Sequence, residues 1–332
     1  MRSSTNTFTS LSIRKPEKTH CGDASFAGIV RINDEDGVLL IVADGVSRSP
    51  KDWLASGSTV DFIVEGLNNS NLPVKLTIRK AIIDANIKIY SGVENTIGML
   101  STLSVVFYQP SSKKLYLCNV GDSRIYGFKN ERWEQLTSDD SNTQPYKENG
   151  KLKLLNGMPV MLSSLTKAIG HSFNLEIEIK EISEITFEAL ILASDGFYNL
   201  DGFEQYASTL ANAADMKRAA LQIQTTIVAE IKDDASFAII RLSHQSQIDL
   251  RKIVKQNDTA QIVSTSAILS VFEGELKQAI IGNEIEYLEG LLQLMERRSL
   301  FYCKEKMIEL LELMIKNKSI LIPKMTGIIR KL

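Results

Sequence analysis

The chain has 332 residues, 44% of them hydrophobic and 23% charged, which excludes wholesale disorder and leaves room for one sizeable domain with an accessory one. With 38 Lys and Arg against 40 Asp and Glu, the net charge is -2, so no general basic field draws the chain to nucleic acid or anionic lipid. Cys21, Cys118 and Cys303 are odd in number, far apart and without CxxC spacing, which argues against a disulfide framework or zinc knuckle and for a reducing compartment. The stretch Met1 to Ser12 is polar, and no apolar run approaches the roughly 20 residues of a membrane span. A soluble cytoplasmic protein with no membrane partner is expected.

In chain order, the first clear element is a strand over Gly37 to Ala43 (GVLLIVA). Apolar residues at three- and four-residue spacing then predict helices over Ser56 to Leu67 and Val74 to Ser91. Strands follow over Thr102 to Tyr108 (TLSVVFY), Lys114 to Val120 (KLYLCNV) and Ala189 to Ala193 (ALILA). A helix is expected over Gly202 to Ile231 and a last strand over Ala235 to Leu242 (ASFAIIRL). Several of these strands lack polar/apolar alternation, which predicts burial on both faces.

After about His244 the strand signals cease. Helical spacing governs Ala267 to Ile281, Ile285 to Met295 and Cys303 to Ile315, so a helical accessory region over 246–332 is expected to follow a domain over 1–245. Its apolar stripe is expected to pack within the chain, with docking a partner or forming a dimer as the alternative.

The chemistry-bearing residues recur where an apolar run stops: Asp44 with Gly45 in IVADG, Asp122 in NVGDSR, Asp195 with Gly196 in LASDG, and Asp233 with Asp234 in KDDAS. Any one of these reads as turn chemistry, because Asp bonds its own backbone and Gly accepts unusual dihedrals. Four in one chain weaken that reading. Carboxylates gathered at the ends of buried strands repel one another in a poorly solvated place and need cations. Oxygen ligands alone suit Mg²⁺ or Mn²⁺, and His20, His171 and His244 have no zinc-like spacing. Paired hard cations about 4 Å apart are a recurrent device for attacking phosphate esters.

The order of motifs resembles the type-2C, metal-dependent (PPM) serine/threonine phosphatases, in a bacterial-like form. The matching stretches are CGDAS (21–25), VADGVS (42–47), MLSTLSVV (99–106), NVGDSRIYGF (119–128), QLTSDDS (135–141), LTKAIG (165–170), LILASDGFYN (190–199) and KDDASFAIIRL (232–242). The resemblance implies an α+β fold: a four-layer α-β-β-α sandwich of two antiparallel sheets flanked by helices. The element pattern alone is equally compatible with a doubly wound sheet.

Position by position, the resemblance makes Asp44 a bridge between two metals, with the Gly45 carbonyl on one and Asp195 and Asp233 completing the other. Asp122 matches a third, weaker metal position, and Asp23 an outer carboxylate that holds coordinated water. The implied reaction is direct hydrolysis of phosphoserine or phosphothreonine in a phosphorylated protein, by a water shared between the ions. The implied partners include a cognate Ser/Thr kinase or its targets. No GxSxG elbow and no Cys followed five residues later by Arg offers a competing nucleophile.

The chain departs from the family pattern at several positions. Lys18 stands five residues before Asp23, where relatives carry an arginine that grips the substrate phosphate; Arg14 lies near enough in sequence to substitute for it. Gly22 replaces Glu or Gln, Asp140 replaces a histidine that is a candidate general acid, and Asp234 replaces an asparagine. Val46-Ser47-Arg48 follows Asp44-Gly45 in place of the usual glycine turn. These departures keep two alternatives open: a degenerate phosphatase that binds phosphoproteins without turnover, and a metal phosphohydrolase acting on small phosphoesters.

Overall fold

The computed structural model describes residues 7–242 apart from 69, 149–150, 156–157 and 160. The accessory region expected over 246–332, with any docking or dimer surface on it, lies outside the described residues.

The elements run β1 (Phe8–Ile13), β2 (Asp23–Ile32), β3 (Glu35–Asp44), α1 (Asp52–Leu67), α2 (Val74–Ser91), β4 (Leu103–Gln109), β5 (Lys114–Val120), β6 (Arg124–Lys129) and β7 (Arg132–Gln135). Short strands fill the next stretch: β8 (Ser141–Pro145), β9 (Lys147–Glu148), β10 (Lys151–Leu152), β11 (Leu154–Leu155), β12 (Met158–Pro159) and β13 (Met161–Leu165). The described part closes with β14 (Lys180–Ile182), β15 (Ala189–Ala193), α3 (Asp195–Tyr198), α4 (Phe203–Asn212), α5 (Met216–Ile227) and β16 (Ala235–Arg241).

Two five-stranded sheets result, in the orders β1-β16-β15-β6-β7 and β14-β5-β4-β3-β2. Every ladder in both is antiparallel, which removes the doubly wound alternative. Burial on both faces explains the missing alternation. In β3, Leu39, Ile41 and Ala43 join the core beneath α1 and α2, while Val38, Leu40 and Val42 are equally shut from solvent on the opposite face. Likewise Ala189, Ile191 and Ala193 of β15 face the core formed with α4 and α5, and Leu190 and Leu192 are buried on the other side. Strand β3 lies across β15 and β16, so these second faces meet and close the sandwich.

On the outer layers, α1 buries Ala55, Thr59, Ile63 and Leu67 at four-residue spacing, and α2 buries Ile78, Ile82, Ala85 and Ile89. The single helix expected over Gly202 to Ile231 is two. Ala213 is extended, and the Asp215 carboxylate caps α5 by accepting the Arg218 N–H at 3.1 Å. The capping side chain satisfies an amide that a continuous helix would have bonded internally, so the chain can turn without loss.

One buried polar residue ties the outer layer to the strand end that matters most. Asn86 of α2 donates to the carbonyls of Ser172 (2.9 Å) and Phe173 (3.3 Å) and accepts the Gly170 N–H at 2.9 Å. This fixes Ile169, whose N–H and carbonyl pair with Ser101. Ser101 in turn donates its hydroxyl to the Asp44 carbonyl at 3.2 Å. Replacing Asn86 by alanine strands a buried N–H and two carbonyls, so Asn86→Ala is expected to cost roughly 2–3 kcal/mol in urea denaturation. A loss below about 0.5 kcal/mol, the range of ordinary surface changes, contradicts that role.

Candidate metal and phosphate site

The predicted aspartates come together at one end of the sandwich because the ladders deliver them there. Asp23 opens β2 and Asp44 ends β3, and the register sets them directly opposite each other. Like charges in that relation destabilise a sheet pair. Asp195 follows β15, and Asp233 precedes the adjacent β16. Asp122 sits in the turn between β5 and β6.

Two glycines permit the close approach. A Cβ on Gly45 would lie 2.0 Å from the Asp52 carbonyl oxygen, and one on Gly196 would lie 1.9 Å from that of Asp234. Only glycine lets the start of α1 pack against the end of β3, and α3 against the residue after Asp233.

Hydroxyls and amides hold the carboxylate-bearing backbone. The Asp44 N–H donates to Thr102 Oγ1 at 2.9 Å, and the Thr102 N–H to the Asp44 carbonyl at 2.8 Å. Ser194 Oγ donates to Asp23 Oδ2 at 2.6 Å while accepting the Ser236 N–H at 2.9 Å. Tyr198 donates its hydroxyl to the Asp122 carbonyl at 3.0 Å; Arg124 stacks on the Tyr198 ring, 4.0 Å from its centroid, and pairs with Asp139 at 2.8 Å. Sequence reasoning assigned no role to Ser194, Thr102, Tyr198, Arg124 or Asp139, although all of them lie within the quoted motifs. Their only signal was a place within those motifs.

The electrostatics follow from burial and crowding. Burial lifts the Asp44 carboxyl well above the usual carboxylate range, and the charges of Asp23, Asp195, Asp122 and Asp233 push it further. Asp23 is pushed up to about 7 by burial, against the opposing bond from Ser194. Asp122 rises to about 6, through burial and then through Asp195. Asp195 is raised by burial and by the charge of Asp233. Asp233 instead turns to Lys18, whose ammonium stands 2.5 Å from its Oδ1.

Among the described residues, the side chains as placed form no group of three or more His, Cys, Asp or Glu that could hold a metal ion. The donor set nonetheless suits hard divalent cations. It is all oxygen, and the raised carboxyls of Asp44 and Asp195, with the Lys18 ammonium on Asp233, mark the demand for positive charge that crowded carboxylates create.

Lys18, expected from the sequence to supply charge near the phosphate, stands on the Asp233 carboxylate. Its charge is secured there: burial opposes it, but the bonds and charges of Asp233 and Asp234 outweigh burial and raise its pKa. Arg14 donates to the Thr19 carbonyl at 2.8 Å and braces the loop in which Lys18 lies. Asp140 accepts the Gly121 N–H at 3.2 Å and pairs with Lys167 at 3.3 Å, holding the turn that carries Asp122.

Comparison with known proteins gives the family and the fold. A family model described as protein phosphatase 2C matches residues 14–231. The serine/threonine phosphatase stp of Listeria monocytogenes serovar 1/2a is 26% identical over 176 residues, spanning 51% of this chain and 69% of that protein. The stp of Listeria innocua serovar 6a is 25% identical over the same shares. Among solved structures, the serine/threonine phosphatase Stp1 from Staphylococcus aureus has the same fold, with a TM-score of 0.56 at 18% identity, over 71% of this chain and 94% of that one. The Mycobacterium tuberculosis phosphatase PstP/Ppp gives 0.53 at 18%, over 71% and 98%.

A raised carboxyl keeps its proton in the folded chain at pH values where the unfolded chain has released it. Its stabilising contribution is complete below the ordinary value of 3.8 and is lost as pH rises through about 6 for Asp122 and about 7 for Asp23. Metal-free protein is therefore expected to lose several degrees of melting temperature between about pH 5 and pH 8, at roughly 2–4 °C per kcal/mol. Mg²⁺ or Mn²⁺ at the higher pH restores them. Asp44→Asn raises the metal-free melting temperature at pH 8 and abolishes the metal response. A melting temperature that climbs with pH across this window contradicts the assignment.

Proposed function

The chain belongs to the protein phosphatase 2C family and is a serine/threonine protein phosphatase; from that membership we propose that it hydrolyses phosphoserine and phosphothreonine in protein substrates with the aid of Mn²⁺ or Mg²⁺. The observation that carries the proposal is the meeting of Asp23, Asp44, Asp122 and Asp195 at one buried strand end, each with its carboxyl raised by burial and by its neighbours' charge.

In this reading Asp44, the Gly45 carbonyl, Asp195 and Asp233 would hold two ions, Asp122 would serve a third, and Asp23, beside Ser194, would steady water at the site. Bound divalent cations lower the pKa of water and offset charge on phosphoryl oxygens. The protein's own part is positional. The ladders fix Asp23 against Asp44, and Gly45 and Gly196 let the backbone close on the site.

Lys18 contributes positive charge to the phosphate from the loop before β2, as a point charge rather than a bidentate fork. Asp140 is occupied as an acceptor from Gly121 and a partner of Lys167, so the departing serine or threonine oxygen takes its proton from solvent. The dispersed cysteines support a reducing, cytoplasmic setting for this activity, and in this reading its substrates are phosphoproteins made by a cognate kinase. No described helix is long and apolar enough to cross a membrane. Residues 1–245 form the catalytic domain in this reading.

One observation favours a second reading, a degenerate phosphatase that binds phosphoprotein without turnover. The Lys18 ammonium occupies Asp233, a carboxylate that the hydrolytic reading needs.

A Mn²⁺ titration of phosphate release from phosphoserine and phosphothreonine peptides separates the two. Metal-dependent turnover is expected in the wild type, with a loss of at least about 100-fold in kcat/KM for Asp195→Asn. Absence of metal-dependent release from any phosphopeptide overturns the hydrolytic reading and leaves the second. Small phosphoesters turned over far better than peptides would move the substrate class.

A further inference from the structure

Three of the positions at which the chain departs from the type-2C pattern meet in a single contact. Asp234 is 2% exposed. Its Oδ1 accepts the Lys15 N–H at 2.7 Å, and its Oδ2 accepts both the Gly22 N–H at 2.5 Å and the Lys18 ammonium at 2.9 Å. One buried carboxylate thus gathers three donors from a short stretch, 15–22, more than 210 residues away in the chain. The stretch has other ties: the turn bond from the Lys18 N–H to the Lys15 carbonyl, the Arg14 contact with Thr19, the Lys15–Glu17 ion pair, the Lys18 bond to Asp233, the His20 ring stacked on Trp53 with centroids 4.8 Å apart, and the Gly45 N–H donating to the Gly22 carbonyl at 2.9 Å.

The chemistry of position 234 decides what can do this. A carboxylate accepts at both oxygens, so it can serve all three donors. An asparagine, the residue of the resembling family, accepts at one oxygen only and would turn an NH₂ toward another donor. Position 22 is constrained by the same contact: a Cβ on Gly22 would lie 3.1 Å from Asp234 Oδ2 and 3.0 Å from Asp52 Oδ2, too near for the short bond from the Gly22 N–H to survive undisturbed. Lys18 closes the set, because a buried carboxylate without a cationic partner is costly. Asp234, Gly22 and Lys18 therefore depend on one another, and changing one alone leaves the other two mismatched.

We propose that Asp234 is a positioning residue that anchors loop 15–22 and tethers the Lys18 ammonium at the mouth of the site. Lys18 touches two carboxylates, Asp233 at 2.5 Å and Asp234 at 2.9 Å. Asp233 is assigned to a metal, while Asp234 has its own three donors and keeps Lys18 in place when Asp233 turns away. A departure that looked like surplus negative charge thus becomes the means by which a lysine replaces an arginine. The inference rests on the reading in which Lys18 meets the substrate phosphate.

The test uses the full chain with saturating Mn²⁺ and a phosphothreonine peptide, with circular dichroism and melting as checks of folding. Asp234→Asn is expected to raise KM about tenfold and leave kcat within about twofold, as is Lys18→Gln, with the double variant no worse than Lys18→Gln alone. An unchanged KM in Asp234→Asn, or KM effects that multiply in the double variant, overturns the proposal. Should Asp234→Asn not fold, Gly22→Ala carries the test: a KM at least about threefold higher with kcat held supports the tether, and an unchanged KM overturns it.

Amide hydrogen exchange in metal-free protein gives a reading independent of turnover. Asp234→Asn is expected to speed exchange at Lys15 and Gly22 about tenfold or more, and unchanged exchange at both overturns the anchor. If the wild type proves inactive, the proposed function fails, and this exchange measurement still decides the anchor.

Discussion

The structure turns on one electrostatic constraint: carboxylates that are wholly or partly withdrawn from water are set where two sheets meet, close enough to repel. Asp23 and Asp44 face each other across the β2–β3 ladder, and Asp195 and Asp122 raise the density of charge further. Proteins do not gather such groups for stability, since each desolvated carboxylate adds a penalty that only a cation, a proton or strong donors offset. Here the Lys18 ammonium and the Ser194 hydroxyl do so in part. The arrangement is suited to receiving divalent cations in place of the ammonium on Asp233, and the metal-assisted chemistry proposed for it follows from that exchange.

Much of the rest of the fold serves to keep this end from spreading. Buried strands packed on both faces give the ligands little freedom, because Leu39, Ile41, Leu190 and Ile191 cannot move without opening the core. The backbone of Asp44 is gripped by Thr102 and Ser101, and Ser101 is bridged to Ile169, whose neighbour Gly170 is held by Asn86 of α2. A helix on the outer layer thereby reaches the central aspartate through short polar links. On the other side, Arg124, Asp139 and Tyr198 hold the turn of Asp122 with a stacked cation and an ion pair.

The strand cores could be read from their residues: ALILA and GVLLIVA announce buried strands, and their want of alternation announces two covered faces. Their pairing partners could not be, because a strand buried on both sides looks the same in a parallel sheet as in an antiparallel sandwich; the motif resemblance, not the periodicity, pointed to the right fold. The break between α4 and α5 escaped notice since Asn212 to Asp215 holds neither glycine nor proline, and the turn depends on a carboxylate cap. Asp44, Asp122 and Asp195 were visible from their places after apolar runs. Lys18 and Asp234 were visible only as oddities, because what joins them is a contact across more than 200 residues of chain, and no local pattern encodes it.

The most direct test of the central claim is where divalent ions sit. Crystals of the full chain grown with Mn²⁺, with anomalous diffraction recorded at the manganese edge, are expected to show at least two strong peaks, one in contact with the Asp44 carboxylate and each touching Asp44, Asp195 or Asp233. Manganese peaks confined to other carboxylates, or none near Asp44 at saturating Mn²⁺, would contradict the assignment of this strand end as the metal site.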